Sequence, residues 1–293
     1  MSASAVFTRP ALWLATRVYR ATPSRRLREA YFQLFLRLVR RHRLTRQVEG
    51  MWFELDLTEL IDVGVFLEQY ERDVVALIER LTRPGFSVLD IGANIGAHAV
   101  RFSRRVGPTG HVYAFEPMEY AYTKLVRNLS LNNASNTKTF RLALSDAAVA
   151  QQQVHFRSSW TTSGQRQDAE SSVEMRRLDD WARAEGVDHV DLIKLDVDGF
   201  EYRVLAGGRE LVARTTPIIL IEAGAWHFTT GGNPLQLLSD LGYSFRDAVT
   251  LQELSLDAIR RRLPERDDEM ALSINLVASV GTLPLTPSAE TSS

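Results

Sequence analysis

The stretch Val88-Leu89-Asp90-Ile91-Gly92-Ala93-Asn94-Ile95-Gly96 decides how this chain is read. A short apolar run ends in a carboxylate, two glycines follow four positions apart, and a helical pattern begins at Ala97. That is the pattern of a buried strand feeding a tight turn, and the backbone N–H groups of such a turn are expected to face a ligand.

Strands alternate with helices on both sides of it. Upstream, apolar residues alternate from Phe53 to Leu57 as in a half-buried strand. Val74, Leu77, Ile78 and Leu81 then mark a helix that ends before Pro84-Gly85. Downstream, Ala99, Val100 and Phe102 give the buried side of a helix, residues 111–117 a second strand, and Ala121, Leu125 and Leu129 another helix. Residues 139–144 read as a third strand ending at Ser145-Asp146, 190–196 as a fourth and 217–222 as a fifth, with later strands near 243–245 and 271–277. Helices are expected at 178–184, through Leu205 and before Gly242. Residues 151–176 break the alternation, with a short strand at Val154-His155-Phe156 and a polar loop from Ser158 to Ser172, a natural place for a substrate lid. The alternation implies an α/β fold, a mostly parallel sheet with helices on both faces.

Composition narrows the function. A chain of 293 residues suffices for one large or two small domains, and the absence of cysteine excludes disulfides, thiolate metal sites and thiol nucleophiles. The net charge of −1 conceals an asymmetry: residues 1–50 carry eleven arginines against Glu29 and Glu49, so this segment is +9 and the remainder −10. No apolar run reaches the ~18 residues that span a bilayer, and residues 11–15 are too short for a signal-peptide core; a cytoplasmic protein is expected. Leu12, Leu14, Val18 and Tyr19 suggest a first helix, broken at Pro23. A second runs from a Ser24 cap to about His42, with Leu27, Tyr31, Leu34, Phe35 and Leu38 on one face and arginines on the other. Residues 10–45 therefore read as a peripheral contact with an anionic membrane surface at the inner side, as a grip on a phosphorylated substrate, or as an appendage packed on the catalytic domain or on a second subunit in a homodimer.

Asp90, Glu116, Asp146, Asp196 and Glu222 each lie at or just after the end of an expected strand. Ligands of such sheets bind beyond the carboxyl ends of the strands, and five acids on one rim suit a ligand rich in hydroxyl and amino donors. A dinucleotide fits poorly. The second glycine of its G-x-G-x-x-G fingerprint is replaced by Asn94, and Asp90 would place negative charge near the pyrophosphate. A cofactor with a cationic amine and no phosphate, such as S-adenosylmethionine, suits the turn better.

On these residues the chain resembles the class I S-adenosylmethionine-dependent methyltransferases and, among them, the FkbM family. The resemblance runs from Trp52 to Val277 and rests on Tyr70-Glu71, the 88–96 stretch, Phe115-Glu116-Pro117, Leu178-Asp179-Asp180, the block Asp191-Leu192-Ile193-Lys194-Leu195-Asp196-Val197-Asp198-Gly199-Phe200-Glu201 and Ile221-Glu222. It implies a Rossmann-like, doubly wound, mostly parallel seven-stranded sheet. Residues 1–50 would form a basic amphipathic helical extension, 51–280 the methyltransferase domain, and 281–293 a disordered tail. Chemistry and resemblance together assign the amino-acid end of S-adenosylmethionine to Asp90, Gly92, Asn94 and Gly96, and both ribose hydroxyls to Glu116. Met118 lies against the adenine, with Ser145 or Asp146 at its edge. Asp196 and Asp198 are the acid/base candidates, and Lys194, an unusual charge in an apolar strand, is catalytic or pairs with one of them. His227 is an alternative base. Asp196, Asp198 and Glu222 could hold Mg²⁺ as a variant reading, but the resemblance implies no metal and none is assigned. The expected activity is O-methylation of a hydroxyl on a sugar, glycan, lipid-linked or polyketide-type acceptor. The alternatives are a non-catalytic membrane- or partner-binding protein on the same scaffold and an NAD(P)-dependent oxidoreductase. Nucleic acid is not an expected partner, because the acidic catalytic part repels a polyanion.

Overall fold

The computed structural model describes residues 43–160, 166–228, 232–263 and 273–283, together with Val18, Thr22, Leu27, Ala30, Tyr31 and Leu34. The two expected N-terminal helices lie outside the described residues except at Val18, Leu27, Ala30, Tyr31 and Leu34, which are helical, and the expected tail lies outside them from residue 284. Among the described residues no helix is long and apolar enough to cross a membrane. The chain divides into two compact units, Met1–Tyr70 with Phe156–Ala169, and Glu71–His155 with Glu170–Ser293.

In the first unit, strands β1 (Arg43–Val48) and β2 (Met51–Asp56) form an antiparallel hairpin, Val48 opposite Met51. Its two-residue loop, Glu49-Gly50, has positive φ at both positions, the geometry that matches the twist of the strands. Helix α1 (Leu60–Leu67) follows, and the buried Asp62 accepts the backbone N–H of Asp56 at 2.6 Å.

The second unit carries an eight-stranded sheet. Helix α2 (Arg72–Leu81) precedes β3 (Ser87–Ile91), and α3 (Ala97–Val106), β4 (His111–Phe115), α4 (Glu119–Leu131) and β5 (Thr137–Phe140) follow in alternation. After β6 (Ala143–Ser145), β7 (Val149–Trp160) and β8 (Arg166–Arg177) come α5 (Leu178–Glu185), β9 (Leu192–Leu195), α6 (Glu201–Gly207) and α7 (Arg209–Thr215). The chain ends with β10 (Ile218–Ala223), α8 (Pro234–Asp240), β11 (Ser244–Asp247), β12 (Glu253–Leu254), α9 (Leu256–Arg262) and β13 (Ile274–Ser279). The sheet order is β12-β11-β13-β10-β9-β3-β4-β5. Strands β10, β9, β3, β4 and β5 are mutually parallel, and β13 is antiparallel to both of its neighbours. The sheet has one strand more than the seven expected, with the two-residue β12 at its edge. From β3 the chain builds outward to β4 and β5; it then returns to the other side of β3 to lay down β9 and β10. The gap beyond the C-terminal ends of β3 and β9 is thus the point where strand order reverses, where ligands of such folds bind.

Alternating residues of each strand feed two cores. Val88, Val112, Leu192 and Leu220 join Val74, Leu77, Ile78 and Phe102 on one face. Leu89, Phe115, Ile193 and Ile219 join Trp181, Val204 and Leu211 on the other. Burial on both faces explains why β3 and β9 read as continuous apolar runs. At the heart of the second core the Trp181 ring meets Phe115, Tyr113 and Phe140 edge-on, with centroids 4.8, 5.2 and 5.3 Å away.

Two expectations are corrected here. Residues 139–144 are not one strand: β5 ends at Phe140 on the edge of the main sheet, and β6 leaves to pair in parallel with β8 in a separate three-stranded sheet ordered β6-β8-β7. Asp146 therefore follows a strand of another sheet and does not share the main rim. The stretch expected as a short strand and a polar loop is instead two twelve-residue strands, β7 and β8. Its predominantly polar composition hid the strands, although Val173 and Met175 of β8 are buried at alternate positions; residues 161–165 lie outside the described residues.

Replacing Trp181 by Ala should remove this aromatic contact set and leave a cavity. A loss of about 3–5 kcal/mol is expected in denaturant unfolding.

Candidate active site

The turn after β3 is built by contacts that forbid side chains. Gly92, Asn94 and Gly96 all have positive φ, at 84°, 47° and 84°. A Cβ on Gly92 would lie 1.8 Å from the Asp196 carbonyl oxygen at the end of β9, and one on Gly96 would lie 2.7 Å from Leu125 Cδ1 on α4. The glycines thus let neighbouring elements of the protein close in on the turn.

The backbone N–H groups, expected to face a ligand, are all satisfied internally. Those of Gly92 and Ala93 donate to Phe115 O at 3.0 and 2.9 Å, and that of Gly96 donates to Ala93 O at 2.8 Å. Asn94 donates its N–H to Glu116 Oε2 at 2.9 Å, and Ile95 its own to Asn94 Oδ1 at 2.8 Å. A pyrophosphate would find no donors waiting here. What the turn borders is a set of acceptors.

The deepest acceptor is Asp90. It is fully buried inside β3, both carboxylate oxygens lack a hydrogen-bond donor among the described residues, and Lys194 Nζ lies 3.8 Å away. The two residues are register partners across the parallel β3–β9 pair. Lys194, also buried, donates to Asp196 Oδ2 at 3.0 Å and to Gly92 O at 3.3 Å. Burial alone would lower the lysine's proton affinity, but Asp196, Asp90 and Glu71 outweigh it and hold the ammonium above the usual lysine range. Burial pushes the carboxyls of Asp90 and Asp196 up, against the opposing pull of Lys194.

Glu116, at the end of β4, is buried and accepts the N–H groups of Asn94 and Met118, the latter at 2.8 Å through Oε1. Burial pushes its carboxyl up to about 7, although both N–H groups oppose the shift. Ser145 is buried and donates to Asp146 Oδ1 at 3.0 Å, off the main sheet.

Beyond β9 the carboxylates of Asp196, Asp198 and Glu222 offer oxygens within 4.8 Å of one another, a spacing one divalent cation could bridge. Glu222 accepts the hydroxyl of Ser273. Burial and the repulsion of Asp196 and Asp198 raise it to about 8. Asp198 and Gly199 hold positive φ, 50° and 100°, in a turn clamped by the buried Glu201, which accepts the N–H groups of Val197 and Gly199 at 3.0 Å each. Glu201 Oε2 also lies 2.7 Å from His227 Nε2, while His227 Nδ1 accepts the N–H of Gly224 at 3.3 Å. His227 is buried in this network as a partner of Glu201. Asp179 caps α7, accepting the N–H groups of Glu210 and Leu211 at 3.2 and 2.9 Å.

Sequence reasoning gave no role to Glu71 or His98. Glu71 lines a cleft with Lys194, Asp196, Glu222 and Asn275, and its Oε2 is 2.6 Å from Nε2 of the buried His98. Glu71 was visible only as part of the Tyr70-Glu71 pair, while nothing around His98 distinguishes it from any other helical residue.

A family model described as the methyltransferase FkbM domain matches residues 90–245. The chain is 32% identical over 196 residues to the 2-O-methyltransferase NoeI of Sinorhizobium fredii, covering 59% of this chain and 76% of that protein. It is 30% identical over 154 residues to the methyltransferase sdnD of Sordaria araneosa, covering 41% of this chain and 59% of that one. Among solved structures, Aeropyrum pernix fibrillarin with bound S-adenosyl-L-methionine matches with a TM-score of 0.40 at 17% identity, over 68% of this chain and 67% of its own.

The raised carboxyls predict the pH dependence of the ligand-free protein. Glu116 holds its proton in the folded state up to about 7, against 4.5 when unfolded, so its contribution is complete below pH 4.5 and is lost as pH rises through 7. Glu222 adds a loss of the same sign up to about 8. Urea-unfolding stability should fall between pH 5 and 8.5, and Glu116→Gln should flatten that fall by about 3 kcal/mol.

Proposed function

Because this chain belongs to the FkbM methyltransferase family and is an S-adenosylmethionine-dependent methyltransferase, we propose that it methylates a hydroxyl of a sugar, glycan, lipid-linked or polyketide-type acceptor. The similarity to the 2-O-methyltransferase NoeI supports oxygen as the methylated atom. The observation that carries the cofactor assignment is the unmet acceptor demand at the strand-order reversal. Among the described residues both oxygens of Asp90 lack a donor, while every N–H from Gly92 to Gly96 is already taken. A ligand rich in amino and hydroxyl donors fits that imbalance, and a phosphate does not.

S-adenosylmethionine bound here would supply an activated methyl group on a cationic sulfur. Asp90, Gly92, Asn94 and Gly96 would hold its amino-acid end, and Glu116 its ribose diol, the two oxygens of one carboxylate suiting two adjacent hydroxyls. Met118 would border the adenine, and Ser145 or Asp146 would have to reach its edge from the separate three-stranded sheet. On the acceptor side, Lys194 orients Asp196, whose carboxylate takes the hydroxyl proton as the oxygen attacks. Asp198, more exposed on the neighbouring turn, passes that proton to water. Lys194 is then a positioning residue, because its ammonium is committed to Asp196, Asp90 and Gly92 O.

The +9 charge of residues 1–50 and the exposure of Leu27 and Leu34, 61% and 53%, support peripheral contact with an anionic membrane. Such contact would suit a lipid-linked acceptor.

Calorimetry tests the cofactor assignment: S-adenosylhomocysteine should bind, and Glu116→Ala should weaken it on the order of a hundredfold through two lost charge-assisted hydrogen bonds. Absence of binding, or binding indifferent to the substitution, would overturn it. For the membrane contact, flotation with anionic vesicles should carry the full chain, and deletion of residues 1–46 should abolish it; equal partitioning would refute the contact.

A further inference from the structure

We propose that Glu71, held by His98, is a specificity-determining residue that makes the site favour the cationic methyl donor over its neutral product. The proposal rests on the S-adenosylmethionine assignment above and concerns a residue to which that assignment gives no role.

Glu71 sits at the start of α2 with φ of 39°, a left-handed conformation that non-glycine residues rarely adopt. Its carboxylate is bound at 2.6 Å by the buried His98. His98 is the second residue of α3, the helix that starts directly after Gly96. The cofactor turn and the Glu71 carboxylate are therefore tied through one short element. On its other side Glu71 shares a cleft with Lys194, Asp196 and Glu222, where three carboxylates line the wall against one ammonium. That wall is continuous with the turn, because Lys194 bonds Gly92 O and the Asp196 carbonyl occupies the space a Gly92 side chain would need. The field of Glu71 reaches Asp90, Lys194, Asp196 and Glu222 alike.

With Glu222 holding its proton up to about 8, the negative charge facing Lys194 comes from Asp90, Asp196 and Glu71, the last of them shared with His98. The sulfur of the methyl donor is positive, whereas that of the product is a neutral thioether. Removing one negative charge from the wall should weaken only ligands that are cationic at that position. For a screened charge–charge interaction in a partly buried site this amounts to about tenfold in affinity.

The test is calorimetry in EDTA with three ligands: S-adenosylmethionine, sinefungin, which carries an ammonium in place of the methylsulfonium, and S-adenosylhomocysteine. Wild-type protein should bind the two cationic ligands more tightly than the neutral one. Glu71→Gln should weaken both cationic ligands about tenfold and leave S-adenosylhomocysteine within about twofold. Equal weakening of all three, or of none, overturns the proposal, since a purely structural role would not separate them. A wild-type preference for S-adenosylhomocysteine also overturns it, even where Glu71→Gln cannot be purified. Failure of all three to bind wild-type protein would instead remove the cofactor assignment beneath it.

Discussion

A lysine ammonium buried between two aspartates, on adjacent parallel strands at the reversal of strand order, is the interaction on which the site depends. Burying three charges is expensive, and an apolar trio of the same volume would often serve stability as well. What the charged trio provides is direction. Lys194 binds the carbonyl of Gly92 and the side chain of Asp196 while facing Asp90, so the turn after β3 and the end of β9 are held by one group. Remove the lysine and the buried Asp90 confronts the half-buried Asp196 with no cation between them. Remove Asp90 and the ammonium loses its partner across the β3–β9 pair.

The remaining parts of the site keep that arrangement rigid and acceptor-rich. Phe115 O takes two of the turn's N–H groups and Glu116 a third. The nest that would attract an anion is closed, and carboxylates replace it. On the far side Glu201, locked to His227, holds the two N–H groups of the Val197–Gly199 turn and so sets where Asp198 stands. Pushed up by burial, Glu116 and Glu222 sit near neutrality, where an arriving cation can displace their protons.

Much of this was legible in the sequence because periodicity and position were informative together. The apolar runs at β3, β4, β9 and β10, each followed by glycine or an acid, announced a parallel sheet and its active edge. The cores formed where the helical spacing placed them, with Leu77, Ile78 and Leu81 on α2, and Leu125 and Leu129 on α4. The misses have physical causes. The β7–β8 ribbon is mostly polar in sequence, and the short alternation at Val173 and Met175 did not stand out against it. The break at Arg141-Leu142, where the chain leaves one sheet for another, is written in long-range pairing and left Asp146 on the wrong rim. Donors internal to the turn depend on Phe115 and Glu116, some twenty residues away, and no local pattern distinguishes a satisfied N–H from a waiting one. The Glu71–His98 contact joins residues 27 positions apart across two helices, beyond the reach of any spacing rule.

The collision that Gly92 avoids with the Asp196 carbonyl has a meaning for evolution as well as for packing. The two segments are fitted backbone to backbone, so neither can acquire a new shape without the other, and drift at one must be matched at the other. Diversification toward new acceptors is therefore channelled away from this joint and into parts of the chain that carry no such constraint. A laboratory library meant to retarget the enzyme should leave residues 90–96 and 194–199 untouched and place its variation in the β7–β8 ribbon.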